Sequence, residues 1–197
     1  MGPDPNMTSL DSLAFHPLTP QRWSDFEQLF GAQGAYGGCW CMWWRITRRE
    51  FEVNGKKGNR EAMRSLVDTG HIPGILAYHE GHPVGWCSIA PRSEFGALER
   101  SRILKRIDDA PVWSIVCFYI SKPNRRRGLA RALIGAAVEY AANQGAKVIE
   151  AYPIKPRQQD LPPVSSFMGI LPLFVEHGFQ VVAEPSRLCQ IVRLTLD

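Results

Sequence analysis

Between residues 13 and 196 the hydrophobic period changes several times, and each change marks an element. Leu13 to Leu18 reads as a short strand. Thr19-Pro20 then places a capping residue before a proline suited to the first helical turn, and Trp23, Phe26, Leu29 and Phe30 fall on one helical face. Gly31 to Gly38 predicts a glycine-rich loop, which leads into the aromatic run Cys39-Trp40-Cys41-Met42-Trp43-Trp44-Arg45. A second helix is predicted from about Asn59 to Asp68, capped by Gly70.

From Gly74 the period shortens to two. Ile75 to Tyr78 and Val84 to Ile89, joined by the turn-like Glu80-Gly81-His82-Pro83, predict an antiparallel hairpin that Pro91 ends. Glu94 to Ile107 is charged and only partly periodic, as a loop or short helix would be. Val112 to Ile120 is nearly all apolar, the mark of a central strand. A basic loop, a helix with Leu129, Leu133, Ala137 and Ala141 on one face, a Gly145 cap and a strand from Lys147 to Tyr152 follow. That strand-helix-strand length suits a crossover between parallel strands. Residues 154 to 165 form a Pro-rich connection, a short helix spans about Leu171 to His177, and Phe179 to Ala183 with Leu188 to Leu196 supply two closing strands. The class is α/β, with a mixed, twisted sheet.

Composition narrows this further. A chain of 197 residues, 45% hydrophobic and 21% charged, suits one domain with its own core. Residues 1 to 12 are polar and Pro-rich and are expected to be a flexible tail, leaving 13 to 197 as the single domain. No apolar run is long enough to span a membrane, and the start lacks a secretory leader, so a cytoplasmic location is expected. Five scattered cysteines are read as reduced thiols, and Cys39-x-Cys41 without a second ligand pair predicts no metal. The net charge of +4 suits an anionic ligand without demanding nucleic acid.

Five of the ten residues from Lys122 to Arg131 are basic, and they lie where a buried strand turns into a helix opening near Gly128. Unpaired N–H groups at a helix start, with Gly128 and the small Ala130 allowing close approach, would hold a pyrophosphate. Arg125-x-x-Gly128-x-Ala130 resembles the Arg/Gln-x-x-Gly-x-Gly/Ala signature of the GCN5-related N-acetyltransferase (GNAT) superfamily. The element order β-α-α-β-β-β-α-β-α-β-β and the late Phe174-x-x-x-Gly178-Phe179 resemble that family as well. Cys39-Trp40-Cys41-Met42, Trp86 to Arg92 and Glu150-Ala151-Tyr152-Pro153 are similar to a largely uncharacterised bacterial subgroup of it.

The resemblance implies an acyltransferase that moves an acetyl group from acetyl-CoA directly to a primary amine of a small molecule, working as a monomer or homodimer. Arg125, Arg126, Arg127, Gly128, Leu129 and Ala130 would hold the pyrophosphate. The backbone of Phe118 and Ile120 would pair with pantetheine, placing the thioester beside Cys117 and Glu150. The strand from Val112 to Ile120 carries no carboxylate, so Asp108, Asp109 or Glu150 must serve as base; Glu150 is the preferred candidate, or else the partner of an arginine such as Arg92. Phe174 stands where a tyrosine would protonate the leaving thiolate, which points to Tyr152 or solvent instead. Trp40, Arg45, Trp86 and Cys117 are the candidate acceptor-site residues. Trp40 equally suits core packing, Arg45 a solvated charge, and Cys117 a structural thiol or, less readily, an acyl-cysteine. A non-catalytic acyl-CoA-binding module, or a transferase using another carrier such as aminoacyl-tRNA, are the alternatives.

Overall fold

The computed structural model describes residues 12–155 and 166–196. Seven strands form one sheet: β1 (Leu13–Pro17), β2 (Ile75–His79), β3 (His82–Pro91), β4 (Trp113–Ile120), β5 (Val148–Ala151), β6 (Gln180–Ala183) and β7 (Ile191–Thr195). Their order is β1-β2-β3-β4-β5-β7-β6, and every pairing is antiparallel except β4 with β5. Parallel neighbours need a crossover, and α4 (Leu129–Asn143) provides it, as the spacing predicts. The remaining helices are α1 (Trp23–Phe30), α2 (Arg48–Asp68), the single turn α3 (Gly96–Glu99) and α5 (Leu171–Glu176). The expected tail falls outside the described residues except for Ser12, as does most of the Pro-rich connection.

The two faces of the sheet bury different cores. On one, Leu129, Leu133, Ile134, Ala137 and Ala141 of α4 pack against Ile75, Cys87, Ile115 and Ile149. On the other, Trp23, Phe26, Leu29 and Phe30 of α1 join Met63 and Val67 of α2 over Leu76, Tyr78 and Trp86. A third cluster at the end of β3 and β4 gathers Ala90, Phe95, Val116 and Tyr152.

Helix α2 begins eleven residues before the expected start. Residues 48–57 carry only Phe51 and Val53 as large apolar side chains, too few to set a helical period. The start is set instead by a capping box: Glu50 N–H donates to Thr47 Oγ1 at 3.2 Å, and Thr47 N–H donates to the Glu50 carboxylate at 2.7 Å. Gly55, at φ 55°, breaks the helix part-way.

Candidate active site

β4 and β5 pair only from Trp113–Ile149 to Ile115–Ala151 and then part. β4 runs on to Ile120, so a gap opens beside its last residues. The turn Lys122–Asn124 and the loop Arg125–Gly128 lie at the mouth of that gap and lead into α4. Arg125 Nε donates to the Ile120 carbonyl at 3.0 Å, anchoring the loop to the strand end. Arg126 at φ 61° and Gly128 at φ 81° both adopt left-handed backbone, which curls successive N–H groups into a concave arc. Gly128 caps α4, and the first intrahelical bond is Ala132 N–H to Gly128 C=O at 3.2 Å. The N–H groups of Leu129, Ala130 and Arg131 precede it, and a helix leaves such groups for caps, solvent or an anion. Arg125, Arg127 and Ala130 are half-buried and Arg126 is exposed. This is the geometry of an anion cradle.

The gap itself is not open along all of β4. Phe118 N–H donates to Phe167 C=O at 2.6 Å. Residues 166–170 run across from the far side, where Ile154 pairs with Ile170 and Ile154 N–H reaches Gly169 C=O at 3.1 Å. In the ligand-free chain the backbone groups expected to pair with pantetheine already have partners, Phe118 N–H in Phe167 and the Ile120 carbonyl in Arg125. Phe174 lies wholly inside, edge-on to Phe179 at 5.2 Å and to Phe118 at 6.1 Å. Gly169 allows that packing, since a Cβ there would stand 2.6 Å from the Phe174 ring.

Glu150 and Tyr152, the expected base and acid, lie together in a closed network. Both are completely buried. Glu150 Oε1 accepts from Arg92 Nη1 at 2.7 Å and from the Tyr152 hydroxyl at 2.6 Å, while Oε2 accepts from Arg193 Nε at 2.8 Å. Arg92 adds an ion pair to Glu99 at 2.8 Å and a bond to Leu104 C=O at 2.7 Å. Arg193 reaches Asp108 at 2.6 Å. Two guanidinium groups and a phenol occupy the carboxylate, and the phenolic proton is committed to it. Burial, and then the Glu150 charge, push the Tyr152 phenol well above its ordinary range. A buried ion-paired network of this kind holds β3, β4, β5 and β7 in place.

Three of the four acceptor-site candidates lie in the interior as well. Trp86 is wholly buried, edge-on to Phe26 at 4.9 Å. Trp40 stacks on Phe30 at 5.7 Å and contacts Trp23, and it backs a shallow cavity also lined by Glu27, Lys56 and Arg60. Arg45 is buried, ion-paired to Glu94 at 3.3 Å, bonded to Pro73 C=O at 3.1 Å and stacked on Phe95. Trp86 and Arg45 are held in packing contacts, and Trp40 both packs and borders the cavity. Cys117 is half-buried on β4, one residue before Phe118.

The model of the acetyltransferase (GNAT) family matches residues 40–161. The chain belongs to that family. The match takes in β4, the 125–130 loop and α4. Among solved structures, a polyamine N-acetyltransferase of Drosophila melanogaster is similar at 12% identity with a TM-score of 0.55, over 93% of this chain and 100% of the other. yncA of Salmonella typhimurium, solved with its cofactor acetyl-CoA, is 14% identical with a TM-score of 0.54, over 94% and 95%. An N-acetyltransferase of Thermoplasma acidophilum in complex with coenzyme A is 12% identical with a TM-score of 0.52, over 94% and 99%. At such identities the likeness is one of fold. No curated protein matches the sequence. Among the described residues, no helix of this acetyltransferase-family chain is long and apolar enough to cross a membrane.

Proposed function

We propose that this chain is an acyl-CoA-dependent N-acyltransferase that moves an acetyl group from acetyl-CoA to a primary amine of a small molecule. The observation that carries the reading is the anion cradle at the start of α4. Arg126, Gly128 and the first N–H groups of α4 present donors and partial positive charge to one point at the mouth of the β4–β5 gap. Arg125, Arg126 and Arg127 add full charge beside it, so the loop suits the pyrophosphate of the cosubstrate. Acetyl-CoA supplies the activated acyl group. The chain's contribution is to anchor the phosphates and to seat the thioester where β4 and β5 part. For the remainder of the cosubstrate to lie along β4, the Phe118–Phe167 hydrogen bond must give way. The amine class of acceptor is supported by the polyamine N-acetyltransferase among the similar folds.

One observation favours a second reading, that of a non-catalytic acyl-CoA-binding module. β4 carries no carboxylate, and Glu150 and Tyr152 are enclosed in an ion-paired network. Titration calorimetry with acetyl-CoA, free CoA and dephospho-CoA tests the shared part of both readings. Binding that is lost in Arg125→Glu is the expected result, and unchanged binding in that variant removes the cradle assignment. Turnover against a panel of agmatine, polyamines and amino acids then separates enzyme from binding module.

A further inference from the structure

We propose that Cys41 and Cys117 form an oxidisable thiol pair, in which a hydroperoxide converts Cys41 to a sulfenic acid that Cys117 resolves to an intramolecular disulfide. The pair is assembled from three segments. Trp86 and Ser88 alternate on one face of β3, and Cys117 stands opposite Ser88 on β4. The loop carrying Cys41 lies over that face, where Trp86 Nε1 donates to Cys41 Sγ at 3.2 Å. The Cys117 thiol donates to the Phe118 carbonyl at 3.8 Å and lies within reach of that same sulfur. Trp40 and Cys41 both hold positive φ, 42° and 60°, in residues that rarely adopt it. Such backbone persists only where its surroundings over-determine it, and here they fix the sulfur against two donors.

The donors decide which thiol ionises. Hydrogen bonds from Cys117 and Trp86, helped by the charge of Arg45, outweigh burial and lower the Cys41 thiol to about 7. Burial pushes Cys39 up to about 11 and Cys87 well above the ordinary thiol range. Cys117, as donor to Cys41, is raised too. Near neutral pH the pair therefore holds one thiolate and one thiol in contact, which is the arrangement of a reactive and a resolving cysteine. Cys41 is 4% exposed while Cys117 is half-buried, so access is by way of Cys117 and favours a water-sized oxidant over a bulky one.

The chemistry balances. The Cys41 thiolate attacks one peroxide oxygen, the O–O bond breaks, and the departing hydroxide takes a proton to leave as water. The Cys117 sulfur then attacks the Cys41 sulfur as the S–O bond breaks. The Cys117 proton and the departing hydroxide leave as a second water. Two thiols are oxidised and one hydroperoxide is reduced. The sulfurs close to about 2.05 Å. The product ties the 39–45 loop to β4.

The test uses the full chain, reduced, treated with hydrogen peroxide, quenched, unfolded and alkylated. Of the five cysteines, three are expected to take alkyl groups after treatment, with Cys41 and Cys117 recovered in one cross-linked peptide. Cys39→Ser should keep the cross-link. Cys117→Ser should lose it and instead accumulate oxygen on the Cys41 peptide, and Cys41→Ser should lose both. Circular dichroism checks that each variant folds, and the Cys117→Ser arm decides the matter should Cys41→Ser not fold. Five alkylated cysteines after peroxide, or a cross-link joining Cys39 to Cys41, overturn the proposal. None of these readouts uses acetyl-CoA, so the outcome is independent of the proposed activity.

Discussion

Glu150→Gln separates a structural carboxylate from a catalytic one. In the native protein one oxygen accepts from Arg92 and Tyr152, and the other from Arg193. An amide keeps one acceptor oxygen but turns an NH2 toward a guanidinium, so one donor faces another. It also leaves Arg92, whose side chain is 1% exposed, with Glu99 at the network's edge as its remaining carboxylate. Breaking one side of a buried ion pair costs about 3–5 kcal/mol. For a chain of this size that is a fall in Tm of roughly 6–20 °C, at about 2–4 °C per kcal/mol. Urea unfolding followed by tryptophan fluorescence gives the free energy, and calorimetric titration with acetyl-CoA at a temperature where the variant is folded gives cofactor affinity. A loss of several kcal/mol with affinity little changed is the expected result. A variant of wild-type stability that binds acetyl-CoA normally yet fails to transfer the acetyl group would refute the network reading and restore Glu150 as the base.

Three further outcomes follow from other parts of the molecule. Gly128→Val places a β-branched residue at φ 81°, a backbone region costing about 1–2 kcal/mol for an L-residue, and should weaken CoA binding more than it lowers Tm; equal losses of both would make the residue a helix cap only. Thr47→Ala removes one arm of the capping box and should cost about 1 kcal/mol, read as faster amide exchange confined to the first turns of α2. The lowered Cys41 thiol predicts a pH effect on stability. Its folded value, about 7, lies below its ordinary 9.0, so the unfolded chain holds more protons between those values. The contribution is absent below pH 7, grows as pH rises towards 9, and is lost again as pH falls back through 7. Unfolding free energy should rise over that window in wild type relative to Cys41→Ser, and parallel curves would contradict the assignment.

The sheet was legible because its determinants are local. Alternation marks β2 and β3, an apolar run marks β4, and a helix-sized segment between β4 and β5 requires them to be parallel. The 125–130 loop was equally legible, since a glycine at a strand-to-helix turn among arginines states its geometry in adjacent residues. What stayed hidden depends on convergence. Arg92 meets Glu150 across 58 residues of sequence, and Arg193 meets Asp108 across 85. No periodicity reports such contacts, so Glu150 could be read as a base when two arginines enclose it. The burial of the aromatic candidates stayed hidden for a related reason. Trp40 and Trp86 look like a ligand-binding rim in a linear list, yet α1 and α2 cover that face of the sheet and turn both residues inward.

The same logic bears on how the protein would take up a ligand. The expected position of pantetheine along β4 rests on free strand edges where β4 and β5 separate, and the separation is present. Its edge at Phe118 is nevertheless occupied by the Phe167 carbonyl, delivered from a segment 49 residues further along the chain. A buried N–H left without an acceptor costs on the order of 1–3 kcal/mol, so the contact spares the empty cleft that penalty. A ligand carbonyl could satisfy the same donor, and the net cost of exchanging one acceptor for the other is then small. Uptake of acetyl-CoA along β4 thus requires residues 166–170 to withdraw, and amide exchange at Met168 and Gly169 should quicken when the ligand is added. Slower exchange there would mean that the segment stays and the cosubstrate lies elsewhere, leaving the α4 cradle as its sole anchor.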